Sequence, residues 1–146
     1  MNLLMTIAGK RIFIVEDNAG NGTIMKILLE AAGAKVYVDR FAINTLQRIH
    51  EADKIDIILL DLMLPNGMTG YDIFDSLRQD PDLRHIPVML VTAADPAIEM
   101  NKARTKGFNG FISKPINNIS FAKMVGAVLQ GYAVWGDGFN EYEYAP

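Results

Sequence analysis

Five short aliphatic runs, each followed by a longer amphipathic stretch, constrain this chain more than any other feature. The runs are "RIFIVED" from Arg11, "AKVYVD" from Ala34, "IDIILLD" from Ile55, "IPVMLVTA" from Ile86 and "GFISKP" from Gly110. Ile57 to Leu60 are aliphatic without a break, which marks a strand buried on both faces rather than one with a wet side. Strands that alternate with helices build parallel sheets, because a parallel crossover needs a helix's length of chain.

The intervening stretches read as those helices. "TIMKILLEAAG" sets Ile24, Ile27, Leu28 and Ala31 on one stripe and stops at Gly33. "INTLQRIHEAD" aligns Ile43, Leu46, and Ile49 or His50, and "YDIFDSLRQD" is closed by Pro81. "DPAIEMNKARTKG" has Asp95 as cap, Pro96 at the first helical position and Gly107 as stop. A last helix, "NNISFAKMVGAVLQ", offers Ile119, Phe121, Val125 and Leu129 to the sheet. The expected architecture is an α/β, doubly wound, five-stranded parallel sheet with helices on both faces. Residues 10–130 form this domain, after an extension at 1–9 and before an aromatic and acidic tail at 131–146. The tail's last fifteen residues hold five aromatics, three acids and no basic residue, and the strand–helix pattern is expected to stop there.

Composition narrows the function. With 146 residues, half of them hydrophobic, the chain is long enough for one sizeable core. A net charge of −3 supplies no basic field for a phosphate backbone, so no nucleic-acid partner is expected. The absence of Cys excludes disulfides and thiolate metal sites. The apolar start "MNLLMTIAGK" is broken by Thr6 and Gly9 and does not read as a signal peptide. No apolar segment approaches the roughly 20 residues that span a bilayer. A cytoplasmic protein without membrane contact is the expectation.

In open parallel sheets, functional groups gather beyond the carboxyl ends of the strands. Polar residues stand there in four of the runs: Glu16 and Asp17, Asp61, Thr92, and Lys114. Taken singly, each has a structural explanation as a cap, a turn residue or a solvated charge. Taken together, three carboxylates would repel one another unless a cation joins them. Mg²⁺ suits such an oxygen set, and Lys114 and Thr92 suit an incoming anion. The combination fits phosphoryl transfer onto Asp61. His50 and His85 have no ligand partner at sequence spacing, and the glycines of "DNAGNGT" match no nucleotide-binding pattern.

The motifs "IFIVEDN", "IILLDLMLP", "VMLVTA" and "GFISKP", in this order and spacing, resemble the receiver domain of two-component response regulators, in particular single-domain chemotaxis-type regulators. The resemblance covers residues 10 to 130. It implies a flavodoxin-like sheet of strand order 2-1-3-4-5. It also implies Asp61 as phospho-acceptor, with Thr92 and Lys114 completing the catalytic set. Glu16, Asp17, Asp61 and the backbone carbonyl of Met63 would be the Mg²⁺ ligands. Thr92 and Phe111 would be the switch pair, and Lys114 would precede a cis peptide to Pro115. The implied donor is a histidine kinase or histidine phosphotransfer protein. The implied output is a protein target met through the fourth helix, fifth strand and last helix, by a monomer or weak homodimer.

The sequence departs from the family pattern at three places. Phe111 stands where Tyr is frequent, "LPNGMTG" is one residue longer than the commonest form, and Met63 and Ala94 replace side chains that assist an attacking water. Slow self-dephosphorylation is the expectation. Such a protein is not an enzyme in the ordinary sense, since it catalyses only its own phosphorylation and dephosphorylation. Three other readings compete. A haloacid-dehalogenase-type phosphatase requires a second Asp where Met63 stands, and a flavin carrier requires hydroxyls where the acids stand. A phosphorylation-independent docking or dimerisation module keeps the fold without the chemistry.

Overall fold

The computed structural model describes residues 7–136 and, as backbone, the strand 143–145. Elements follow in the order β1 (Arg11–Val15), α1 (Ala19–Ala31), β2 (Lys35–Asp39), α2 (Thr45–Glu51), β3 (Ile57–Leu60) and α3 (Gly70–Gln79). Then come β4 (Val88–Thr92), α4 (Pro96–Lys106), β5 (Gly110–Ser113), α5 (Phe121–Leu129), β6 (Ala133–Gly136) and β7 (Glu143–Ala145). The sheet order is β2-β1-β3-β4-β5-β6-β7. The first five strands are parallel and stand in the order expected of a flavodoxin-like fold.

The sheet does not end at β5. β6 pairs parallel with β5, and β7 pairs antiparallel with β6, giving seven strands where five were expected. The pattern expected to stop at 131 therefore runs on for one more crossover. "AVWG" is only four residues long and lies among glycines and aromatics, so its strand character comes from the open edge of β5 rather than from its own periodicity.

Side chains alternate across the sheet with the period of two that strands impose. On one face Ile12, Ile14, Leu59, Met89, Val91, Ile112 and Val134 pack with Met25 and Leu29 of α1 and Phe121, Met124 and Val125 of α5. On the other, Phe13, Val15, Leu60, Leu90, Phe111 and Trp135 pack with Ile49 of α2, Ile73, Phe74 and Leu77 of α3, and Ala103 of α4. Full burial of one such side chain stabilises by about 1.5–3 kcal/mol. β3 and β4 are buried along their whole length, as unbroken aliphatic runs require.

Local signals set most helix ends. Asn18 caps α1 by accepting from the Asn21 N–H at 2.9 Å, and Thr69 and Asp72 form a reciprocal capping box on α3. α4 has its Asp95 cap, its Pro96 and its left-handed Gly107 stop. Three expected apolar stripes need correction. α1 buries Gly22, Met25 and Leu29, whereas Ile24 and Ile27 face solvent. Ile43 precedes α2 and Ile119 precedes α5, and both are exposed. In α1 the residues that face the sheet are offset from the expected set, because packing against the sheet rather than apolar spacing chooses the buried face. Among the described residues no helix is long and apolar enough to cross a membrane.

Candidate functional site

The carboxyl ends of β1, β3, β4 and β5 bring together Glu16, Asp61, Thr92 and Lys114. Each stands at or just past the carboxyl end of a buried strand, so parallel topology brings them to the same edge of the sheet. Glu16, Asp61 and Thr92 are almost wholly buried, with relative exposures of 1%, 5% and 0%. The Lys114 ammonium lies between two of them. It donates to Asp61 Oδ2 at 2.9 Å and forms an ion pair with Glu16 Oε1. Carboxylate oxygens of Glu16, Asp17 and Asp61 all lie within 4.8 Å of one another, with Asp17 exposed at the mouth.

Three carboxylates against one ammonium leave surplus negative charge in a desolvated pocket. Burial pushes the Glu16 carboxyl up to about 7; the Lys114 ammonium pulls it down, and the neighbouring Asp61 adds to the rise. Binding of a cation beside these carboxylates would offset the penalty that burial places on the charged Glu16. The donor atoms are oxygens, and a hard divalent ion fits them.

Backbone groups hold Asp61 in place. The Met63 N–H donates to Asp61 Oδ1 at 3.2 Å, and the Asp61 N–H donates to the Val15 carbonyl at 3.0 Å. Met63 is thus at the site through its amide, and its side chain is exposed. The longer loop after it closes as a tight turn through Asn66 and Gly67, both at positive φ, with a Met68 N–H to Pro65 carbonyl bond of 3.2 Å. Met63 and Thr69 form a bridge across that turn. The turn delivers Gly70 against the backbone of Asp61. A Cβ at Gly70 would collide with the Asp61 carbonyl oxygen and stand 3.1 Å from Leu62 Cα.

Thr92 is held by its neighbours in the same way. Its hydroxyl oxygen accepts from the Ala94 N–H at 3.2 Å, and its carbonyl accepts from the Lys114 N–H at 2.9 Å. The Lys114–Pro115 peptide is cis. Phe111, three residues before Lys114, is wholly buried and pairs in register with Leu90.

Several residues around the site went unmarked in the sequence. Asp39, at the carboxyl end of β2, is buried and accepts from Thr45 Oγ1 and Arg48, each at 2.9 Å, while its carbonyl takes the Glu16 N–H at 3.1 Å. The strand-end rule applied to "KVYVD" finds it. Ser113 is buried as the register partner of Thr92. Away from the site, at the amino end of the sheet, His50 meets Asp80 at 2.7 Å across thirty positions, a pairing that no sequence spacing reveals.

The chain and its fold have relatives among known proteins. The profile of the response regulator receiver domain matches residues 12–126. The chain is 34% identical over 120 residues to the polar-differentiation response regulator DivK of Brucella anthropi, covering 82% of this chain and 96% of that protein. DivK of Brucella ovis matches at the same identity and coverage. Among solved structures, the signal receiver domain of a signal transduction histidine kinase from Syntrophus aciditrophicus superposes with a TM-score of 0.73 at 29% identity, covering 84% of this chain and 92% of that one. The chemotaxis response regulator CheY4 of Vibrio cholerae superposes with a TM-score of 0.73 at 21% identity, covering 83% and 99%, and shares the fold.

Proposed function

Because the chain belongs to the response regulator receiver domain family, we propose that it works as a phosphorylation-dependent response regulator with Asp61 as phospho-acceptor. Membership implies a histidine kinase as partner in general terms, and a kinase or histidine phosphotransfer protein is the donor proposed here. The carrying observation is the placement of Asp61: buried, tied to Lys114 at 2.9 Å, and within 4.8 Å of the carboxylates of Glu16 and Asp17.

An Asp61 carboxylate oxygen attacks the phosphorus of a phosphohistidine. The new P–O bond forms as the P–N bond breaks, and the imidazole leaves with the electron pair. The Met63 N–H orients the attacking carboxylate, and Lys114 is close enough to pass its ammonium from the carboxylate to the phosphoryl oxygens. The Thr92 hydroxyl keeps its hydrogen to donate to the same group. Mg²⁺, held by Glu16, Asp17, Asp61 and the Met63 carbonyl, would neutralise charge on the transferred phosphoryl group. The acyl phosphate carries about −1.5 to −2 charge where the carboxylate carried one. That added charge is what Thr92, Phe111 and the adjoining surface respond to. The setting is cytoplasmic, and the chain's chemistry is confined to gaining and losing its own phosphate.

Intact mass after incubation with acetyl phosphate and Mg²⁺ tests the reading. One added phosphate is expected on the wild type and none on Asp61→Asn or without Mg²⁺. A chase after the donor is removed reads how slowly the phosphate is lost. No phosphate on the wild type from acetyl phosphate or a phosphorylated kinase would sink the proposal in favour of a docking module.

A further inference from the structure

β6 covers the outer edge of β5, the strand that precedes Lys114. Its register sets Val134 beside Gly110, Trp135 beside Phe111 and Gly136 beside Ile112. The approach is close: a Cβ at Gly110 would stand 3.0 Å from the Val134 carbonyl oxygen. Phe111 is therefore held between Leu90 on β4 and Trp135 on β6, and all three share one face of the sheet. From above, Arg104 of α4 lays its guanidinium 4.7 Å from the centroid of the Trp135 ring. β6 is tied at its start as well, where the Tyr132 N–H bonds the Ala127 carbonyl of α5 at 3.0 Å.

We propose that the β6–β7 pair is a clamp on the phosphorylation switch: with Trp135 docked against Phe111 it favours the unphosphorylated arrangement, and phosphorylation of Asp61 loosens it. The inference rests on the phospho-acceptor reading above. Lys114 donates to Asp61 Oδ2 at 2.9 Å, so a phosphoryl group on Asp61 gives its ammonium new oxygens to meet, and Lys114 shifts toward them. Lys114 is bonded through its backbone to Thr92 and follows directly on β5, a strand of four residues. Phe111 lies three residues back on that strand. In a close-packed core it cannot move unless Trp135 answers. By linkage, whatever phosphorylation does to the docking of β6, undocking β6 does to the phosphorylated form by the same factor.

The test uses the full chain, in which Trp135 is the single tryptophan. Acetyl phosphate and Mg²⁺ are added, and intact mass, tryptophan emission and amide exchange of residues 133–136 are followed together. In the phosphorylation step an Asp61 oxygen displaces acetate as the new P–O bond replaces the old. The expected result is a change in emission and faster exchange in β6, both growing with the phosphate and both absent in Asp61→Asn. In the reverse direction, Trp135→Leu is expected to bind beryllofluoride with Mg²⁺ about fivefold or more tighter by calorimetry. One phosphate by mass with unchanged emission and exchange overturns the clamp and leaves the phospho-acceptor reading intact. Unchanged beryllofluoride affinity in a folded Trp135→Leu also overturns it. No phosphate on the wild type overturns both. Should Trp135→Leu fail to fold, the wild-type emission and exchange decide alone.

Discussion

The two ends of the central sheet handle charge in opposite ways. At the amino end, cations and acceptors meet in ones and twos at the surface. Arg11 reaches Asp53 at 3.2 Å and Tyr37 at 3.1 Å, its backbone N–H takes Asp56 at 2.8 Å, and His50 meets Asp80 at 2.7 Å. Arg78 donates to the carbonyls of Arg84 and Ile86 at 2.9 and 3.0 Å. At the carboxyl end, Glu16 and Asp61 are buried and share Lys114, and the exposed Asp17 adds a third carboxylate beside them. The pairs at the first end are open to solvent, which screens whatever charge they leave. Burial and a three-to-one ratio at the second store an imbalance, and an imbalance is what a metal ion and a phosphoryl group can act upon.

Removing the one ammonium breaks the comparison most severely. Lys114→Met leaves buried carboxylates with no counter-charge, and loss of one partner from a buried pair costs about 3–5 kcal/mol. Protonation of Glu16 softens this, so about 3 kcal/mol at neutral pH is the expected loss, read from urea unfolding. Adding Mg²⁺ should recover part of it. A variant as stable as the wild type without metal would mean that the site is not short of positive charge.

A smaller effect lies in the pH dependence. The folded state holds the Glu16 carboxyl at about 7 against an ordinary 4.5, so between those values it binds a proton that the unfolded chain has released. Stability then falls as pH rises: the Glu16 contribution is whole below the unfolded value and is lost on passing through the folded one. In the metal-free protein, unfolding free energy is expected to decline across this window, and Glu16→Gln should flatten the decline. Saturating Mg²⁺ should remove it too, because the ion supplies the missing charge. A decline that Glu16→Gln leaves unchanged would assign it to another group.

How much of this was legible beforehand follows from the range of each signal. The strand order follows from the family resemblance, whereas the strands themselves and the gathering of Glu16, Asp61, Thr92 and Lys114 rest on unbroken aliphatic runs and on the residue that ends each run. Both are local patterns that parallel topology converts into proximity. The cap at Asp95 was legible for the same reason. The rotation of α1 was not, since Ile24 and Met25 are equally apolar and only tertiary packing chooses between the faces. β6 was hidden because its partner edge, not its own four residues, makes it a strand. Asp39 stands at a strand end like the others, but its partners Thr45 and Arg48, and the His50–Asp80 pair, depend on contacts between elements that sequence spacing does not encode.

The smallest expected effect guards the other side of the comparison. Asp53 is largely exposed, 76% by side chain, and its partner Arg11 at 3.2 Å also donates to Tyr37 and is itself 31% exposed. Exposed pairs of this kind contribute about 0.2–1 kcal/mol, since solvent screens them and two side chains lose freedom to meet. Asp53→Ala should therefore shift the unfolding midpoint only slightly, by less than about 1 kcal/mol, with no change in Mg²⁺ dependence and none in phosphate uptake. Thermal unfolding with and without the ion measures both. A loss as large as that of Lys114→Met would show that position on the sheet, rather than burial and the ratio of charges, decides what an ion pair contributes. The contrast between the two ends would then have no bearing on where the chemistry sits.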